Sequence, residues 1–274
     1  MIDLHLHTIA SDGRCTPAEL VERAARAGLT VIAVTDHDTT AAVTEATAAG
    51  RARGIEVIAG IEITAVEVGR DVHMLGYFVN TADAELSGFL ARQRTQRIER
   101  VTAVGDRLAR LGMPIDITPV LAVANAEGGR SVGRPQIARA MIAAGYVADS
   151  NEAFDRWLAI GRPAFVPRAG AAPEDVIAIV HAAGGLVSLA HPGQTAVDVR
   201  IAGYAEAGLD ALEVFHPDHD KASTQRYGDM ASRLTLLVTG GSDFHGDPSH
   251  GWEPGAVTLP ADAWRRLRAA APHA

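Results

Sequence analysis

The chain has 274 residues with 33 acidic and 25 basic side chains, a formal net charge of −8 and 47% hydrophobic residues. A chain of this size can bury a substantial core, and its acid surplus argues against a general nucleic-acid coat protein and against duplex DNA as a partner. The single cysteine, Cys15, excludes an intramolecular disulfide framework and a Cys-type structural zinc site. No apolar run approaches the roughly 18 residues of a membrane span, and Met1-Ile2-Asp3-Leu4-His5 shows no signal-peptide pattern, so a cytoplasmic protein with no membrane partner is expected.

In chain order, Ile2–His7 reads as a first strand. Thr16-Pro17-Ala18-Glu19 opens a helix, with Thr as N-cap, Pro at the first helical position and Glu three residues after the cap. An Ala-rich helix then ends at Gly28 before the apolar strand Val31–Thr35. The same succession recurs at Gly54 before Ile55–Ala59, at Gly184-Gly185 before Leu186–Ala190, and at Gly208 before Ala211–Phe215. A fifth, without glycine, precedes Leu234–Thr239. Glycine there supplies the left-handed residue that ends a helix. Val72–Val79 adds a hairpin strand, and Ala172-Pro173-Glu174-Asp175 opens a late helix. Apolar strands alternating with helices predict buried, parallel strands, about seven in all, close to a (β/α) barrel.

Residues 83–168 interrupt the alternation. Asp83–Leu111 predicts one long helix, Thr118-Pro119 opens another that ends near Gly128-Gly129, and Gly133–Ala144 and Asn151–Ile160 predict two more. The expected architecture is α/β, with a barrel from residues 1–82 and 169–274 and a small all-helical insertion, or cap, at 83–168. From Glu85 to Arg168 there are twelve arginines against eight acidic residues, a net of +4 on a chain of −8. A basic cap on an acidic barrel suits an anionic substrate. Most of these arginines, including Arg92, Arg97, Arg107 and Arg110, are expected on solvated helix faces.

Polar side chains gather where the apolar strands stop: His5 and His7, Asp36-His37-Asp38, Glu62, His73, His191, His216, and Asp243 with His245. In α/β barrels the C-terminal strand ends build the active site. His5 and His7 are two apart on a strand and share a face, and Asp243-Phe244-His245 repeats the spacing. Imidazole with carboxylate suits divalent transition metals. The expected metal ligands are His5, His7, Asp12, His37, Glu62, His73, His191, Asp243 and His245. Nine ligands are enough for two or three ions if Glu62 bridges. His216 is expected to orient a ligand or to donate a proton, and Asp36 and Asp38 to orient imidazoles. His181 is expected to be structural, His219, His250 and His273 to lie in loops or the tail, and Asp3 to face away. A bridging carboxylated lysine is disfavoured, because the only lysine, Lys221, lies at a helix start.

The ordered motifs His-x-His, Ser11-Asp12-Gly13, Thr35-Asp36-His37-Asp38, Gly60-Ile61-Glu62, His73, Ala190-His191-Pro192 and Gly241-Ser242-Asp243-Phe244-His245 resemble the polymerase and histidinol phosphatase (PHP) family of phosphoesterases over nearly the whole chain. The resemblance implies a distorted seven-stranded barrel with a trinuclear site, usually manganese, though Fe²⁺ or Zn²⁺ accept the same ligands. It implies one ion on His5, His7, Glu62 and Asp243, a second on Asp12, His37 and His245, and a third on Glu62, His73 and His191. Gly133-Arg134-Pro135-Gln136 and Pro163-Ala164-Phe165-Val166-Pro167-Arg168 resemble the subgroup acting on nucleoside 3′,5′-bisphosphates and short 5′-phosphorylated oligoribonucleotides, although Gln136 stands where similar proteins usually have His. The expected reaction is phosphate-ester hydrolysis by a metal-bound hydroxide, with Asp12, His37, His216 and Asp243 in the catalytic centre and Arg134, Gln136 and Arg168 on the substrate. The rival is a small-molecule phosphatase of the histidinol phosphatase type, whose substrate carries one phosphate and a cationic amine.

Overall fold

The computed structural model describes residues 1–125, 129–195, 197–247 and 252–272. The expectations for Gly128, His250 and His273 fall outside them.

The elements follow in the order β1 (Ile2–Asp3), α1 (Pro17–Arg26), β2 (Val31–Val34), α2 (Val43–Arg53), β3 (Glu56–Glu67), β4 (Arg70–Tyr77), α3 (Ala84–Arg110), α4 (Thr118–Asn125), α5 (Arg134–Ala143), α6 (Ser150–Ala153), α7 (Pro173–Ala182), β5 (Leu186–Leu189), α8 (Pro192–Thr195), α9 (Ile201–Glu206), β6 (Ala211–Phe215), α10 (Lys221–Arg233), β7 (Leu237–Gly240) and α11 (Ala261–Ala270). The seven strands form one sheet in sequence order. The Leu4 N–H donates to Gly240 O at 3.2 Å and the His7 N–H to Phe244 O at 2.9 Å, which nearly closes the sheet into a barrel.

Local chemistry accounts for the helix ends. Thr16 and Glu19 form the reciprocal capping box. Gly28, Gly54, Gly184 and Gly208 all have left-handed φ values, and after α10 Thr235 takes that conformation at φ 58° without a glycine.

As the expected hairpin requires, β4 is antiparallel to β3, and it is antiparallel to β5 as well, while the other paired strands are parallel. Two strand expectations are corrected. β3 runs on to Glu67, so Glu62 sits inside a strand, paired with Leu75, rather than after one. The tight turn at Val68-Gly69 folds β4 straight back, which is what brings His73 to the same rim. Asp243 and His245 are not on a regular strand either. They follow β7, with Asp243 at φ 49° and only Phe244 bridged, to Leu6.

Helices α3 to α6 and the π-turn Phe154–Leu158 share an apolar cluster whose buried members run from Val101 to Ala164. No helix among the described residues is long and apolar enough to cross a membrane.

Candidate metal centre

His5 and His7 leave the first strand side by side, both fully buried. Glycine lets the neighbouring backbone crowd this strand: a Cβ on Gly241 would lie 2.4 Å from His5 N, and one on Gly13 2.7 Å from His7 O. Glu62 is at the centre. Its Oε2 lies 3.4 Å from His5 Nε2, 3.2 Å from His7 Nε2 and 3.1 Å from His37 Nδ1. Its Oε1 lies 2.9 Å from His73 Nδ1 and 3.2 Å from His191 Nε2. Asp243 Oδ1 faces His5 Nε2 at 3.2 Å and His7 Nε2 at 3.3 Å. Asp12 faces His245 Nε2 at 3.2 Å and His37 Nε2 at 3.5 Å.

All nine side chains expected to bind metal are therefore brought together. Four overlapping groups have ligand atoms within 4.8 Å of one another: His7, Asp12, His37 and His245; His5, His191 and Asp243; His5, His7 and Glu62; His37, Glu62 and His73. The grouping differs from the motif-based partition: His7 also joins Asp12, His37 and His245, His191 falls with His5 and Asp243 rather than with Glu62 and His73, and His37 takes its place beside those two.

Divalent ions fit these residues. His5 Nε2, both His7 nitrogens and His37 Nδ1 are buried without a hydrogen-bond partner among the described residues. Such orphans are costly unless something else satisfies them. Two ligands about 2.1 Å from one ion, at octahedral to tetrahedral angles, stand about 3.0–3.4 Å apart, and the nitrogen-to-carboxylate gaps around Glu62 and Asp243 fall there. Burial works against ionising Glu62, Asp12 and Asp243, but the imidazoles facing them hold all three well below the usual carboxylate range. The centre thus keeps three anionic ligands.

Glu213 completes the support and is not among the residues expected from sequence. It is fully buried on β6. Its Oε1 accepts from His5 Nδ1 at 3.0 Å and its Oε2 from the His191 N–H at 2.8 Å. The first bond fixes the His5 tautomer, leaving Nε2 free toward the cluster. The available signal was a lone acid in the apolar run Ala211-Leu212-Glu213-Val214-Phe215. Glu213→Gln is expected to lower metal affinity or turnover about 10- to 100-fold, read by metal titration alongside kcat. Unchanged values for both would remove Glu213 from the site.

Other residues depart from expectation. Asp36 and Asp38 do not orient imidazoles. Asp36 accepts from the Thr8 N–H, the Thr8 hydroxyl and the Ser11 hydroxyl, and so shapes the loop that carries Asp12. Asp38 is clamped by Arg97 Nε at 2.5 Å and Arg168 Nη2 at 2.8 Å. Arg97 is thus buried rather than on a solvated helix face. His219 is not a free loop residue: it donates through Nδ1 to Val214 O at 3.0 Å and accepts at Nε2 from the Gly193 N–H at 3.2 Å. Asp3 points away from the cluster and accepts from Ser242 and Gly255. His181 Nε2 meets Asp210 at 2.7 Å, outside the centre. His216 Nδ1 accepts from the Asp218 N–H at 3.1 Å, and its Nε2 faces Asp243 Oδ2 at 3.3 Å.

Among the proposed substrate residues, Arg134 Nη2 meets Asp71 at 3.0 Å at the edge of the centre. Arg168 is buried on Asp38. Gln136 has both ends engaged, its Oε1 accepting from the Gly133 N–H and its Nε2 donating to Ser11 O, each at 2.8 Å.

A barrel rim that gathers nine imidazole and carboxylate ligands defines a metal-dependent hydrolase, and the comparisons identify its family. Residues 3–128 match the PHP domain. The chain is 36% identical over 248 residues to a 5′-3′ exoribonuclease of Haemophilus influenzae, covering 89% of each chain. It is 31% identical over 277 residues to a 3′,5′-nucleoside bisphosphate phosphatase of Chromobacterium violaceum, covering 98% of this chain and 96% of the relative. A solved structure from Bifidobacterium adolescentis, a proposed metal-dependent phosphoesterase, superposes with a TM-score of 0.88 at 36% identity, over 98% of this chain and 95% of that one. The chain belongs to the PHP family and is a metal-dependent phosphoesterase.

Proposed function

We propose that the chain hydrolyses a phosphate ester of a nucleotide that carries a second phosphate, most simply the 3′-phosphate of a nucleoside 3′,5′-bisphosphate, with residues 83–168 acting as a cap that binds the second phosphate. The observation that carries this is the surplus of guanidinium beside the centre. A cavity of about 220 Å³ touches His37, His73 and Asp12 and is also lined by Arg97, Arg100, Arg134 and Arg168, with Asp71 as its only lining acid apart from Asp12 among the described residues. Asp71 is held at about pKa 2, since Arg100 and Arg134 outweigh its burial. Burial, with a further push from the neighbouring Arg100, pulls Arg134 down to about 10. A phosphate dianion would offset that surplus, and guanidinium matches its oxygens in a fork. The relatives named as a bisphosphate phosphatase and an exoribonuclease support the same class. A histidinol-phosphatase-type substrate, with a cationic amine, suits this cavity poorly.

The nine ligands would hold two or three divalent ions, with manganese the proposed metal. Bound ions would polarise the phosphoryl oxygens and favour ionisation of water near neutral pH. The chain's own residues do the rest. Arg134 fixes the distal phosphate, and Arg168 with Asp38 holds that wall in place. Gln136 ties the cap to the Ser11-Asp12 loop through Ser11 O. The Asp218 N–H on His216 Nδ1 keeps the proton of neutral His216 on Nε2, beside Asp243. That is where a donor to the departing oxygen is needed. In the net reaction a P–O bond forms to water oxygen, the ester P–O bond breaks, and the departing hydroxyl keeps one proton. The proposed location is the cytoplasm.

The test compares phosphate release from nucleoside 3′,5′-bisphosphate, nucleoside 3′-monophosphate and histidinol phosphate, in wild type and Arg134→Ala. Wild type is expected to prefer the bisphosphate, and Arg134→Ala to lose about 10- to 100-fold in kcat/KM on it, mostly through KM, with little change on the monophosphate. Preference for histidinol phosphate would overturn the assignment.

A further inference from the structure

Asp12 rides on a loop that the barrel secures at its two ends. At the start, Asp36 accepts from the Thr8 N–H and from the Thr8 and Ser11 hydroxyls. At the far end, the Ile9 N–H donates to Cys15 O at 2.9 Å and the Arg14 N–H to His245 O at 2.8 Å. Between them Ala10, Ser11 and Asp12 are all buried, so their carbonyls need donors. Among the described residues, the donors that reach these three carbonyls come from residues 131–139 and not from the barrel. The Ser131 N–H donates to Ala10 O at 2.8 Å, Gln136 Nε2 to Ser11 O at 2.8 Å, and Arg139 Nη1 to Asp12 O at 3.1 Å.

Helix α5 is built to make this contact. Gln136 and Arg139 are three apart and share a helix face, while Ile137, Ala138 and Met141 are buried in the apolar cluster of the neighbouring helices. The face that meets the Asp12 loop is therefore fixed by packing on another side. The ligands around Glu62 have a different support. Glu62 sits in β3 opposite Leu75, and Glu213 on β6 holds His5 and the His191 N–H. Asp12, whose oxygens lie 3.2 Å from His245 Nε2, 3.5 Å from His37 Nε2 and 3.8 Å from His7 Nδ1, depends on contacts spanning 125 and 127 residues of chain.

We infer that Gln136 and Arg139 are positioning residues of the metal centre: they hold the Asp12 loop so that its carboxylate stays within reach of His7, His37 and His245, and metal binding at that group depends on helix α5 while binding around Glu62 does not. The inference rests on the metal centre and not on the choice of phosphate ester. Charge gives its test a sign. Arg139→Met removes a positive charge beside the centre. Gln136→Glu adds a negative one, loses the donor to Ser11 O and keeps an oxygen for the Gly133 N–H. Coulomb attraction alone would make both variants bind a divalent cation more tightly. Loss of the carboxylate's position makes them bind it more weakly.

The experiment titrates the metal-free protein with Mn²⁺ and counts bound metal after equilibrium dialysis, with no phosphate ester present. Asp12→Ala identifies the binding step that needs Asp12. In Arg139→Met, Gln136→Glu and the double variant, that same step is expected to weaken about 10- to 100-fold, the usual cost of removing the support of a ligand. The remaining steps should be unchanged or tighter. Unchanged or tighter binding at the Asp12 step, equal weakening at every step, or an Asp12→Ala protein with every step intact overturns the inference and leaves the nucleotide reading standing. No Mn²⁺ binding by the wild type would overturn it together with the metal-centre reading. Should the double variant not fold, the single variants decide.

Discussion

Replacing Glu62 with Gln is expected to abolish turnover, by at least about 10³-fold in kcat, and to strip metal from the protein as isolated. The reason is positional. Glu62 is 1% exposed and faces five imidazoles, His5, His7 and His37 through one oxygen and His73 and His191 through the other. It belongs to two of the four groups of converging side chains, so its charge would serve more than one bound ion. An amide keeps the shape but removes the negative charge and turns one oxygen into a donor directed at the imidazoles. The imidazoles on both sides then crowd together without a shared anion. Metal content by elemental analysis and kcat at saturating added metal check this together. Full metal content with full turnover would disprove a central role for Glu62.

The second large effect is on stability. Asp38→Ala is expected to cost about 3–5 kcal/mol, because it leaves Arg97 and Arg168 buried with no counter-charge. Asp38 is fully buried at φ 50° and also accepts from the Thr64 N–H at 3.1 Å, so it joins β2, β3, α3 and the chain leaving the cap. Burial opposes its ionisation, yet Arg97 and Arg168 hold its carboxyl well below the usual carboxylate range. A depressed carboxylate contributes stability that is fully present above its unfolded pKa and is lost as pH falls toward its folded one. The wild type should therefore lose stability on acidification below about pH 4. In Asp38→Asn that acid limb should be shallower, on a lower plateau. Denaturant midpoints across pH 2.5–7 read this directly, and identical acid limbs would show that the pair contributes nothing.

Most of the nine converging side chains were legible in the sequence because a local signal accompanies them: His5, His7, His37 and His191 lie at or just past the ends of apolar runs, and Gly13 and Pro192 mark the turns beside Asp12 and His191. The architecture was legible for a similar reason, since Gly28, Gly54, Gly184 and Gly208 each mark the handover from helix to strand. Arg97 and Arg100 carried no such signal, and Asp38 stood out at a strand end without any sign that its partners are arginines. Arg97 and Arg100 lie in a helix rich in charge, where local pattern cannot distinguish an arginine facing water from one facing a buried carboxylate. Glu213 looked like any interruption in an apolar strand until the sheet curled and brought β6 behind His5.

By itself the sequence determined the order of elements, the run of helices between β4 and α7 and the identity of nine converging side chains, because these depend on hydrophobic period, capping and turn chemistry within a few residues. Only the tertiary structure decided the antiparallel pairing of β4 with β5, the sharing of Glu62 among five imidazoles and the pairing of Arg97 and Arg168 with Asp38. Those depend on strand register and on which charges meet across more than 50 positions of chain, as Arg97 and Arg168 meet Asp38 at separations of 59 and 130 residues. A buried charge cannot remain unpaired, so a partner had to exist, but closure of the barrel chose it.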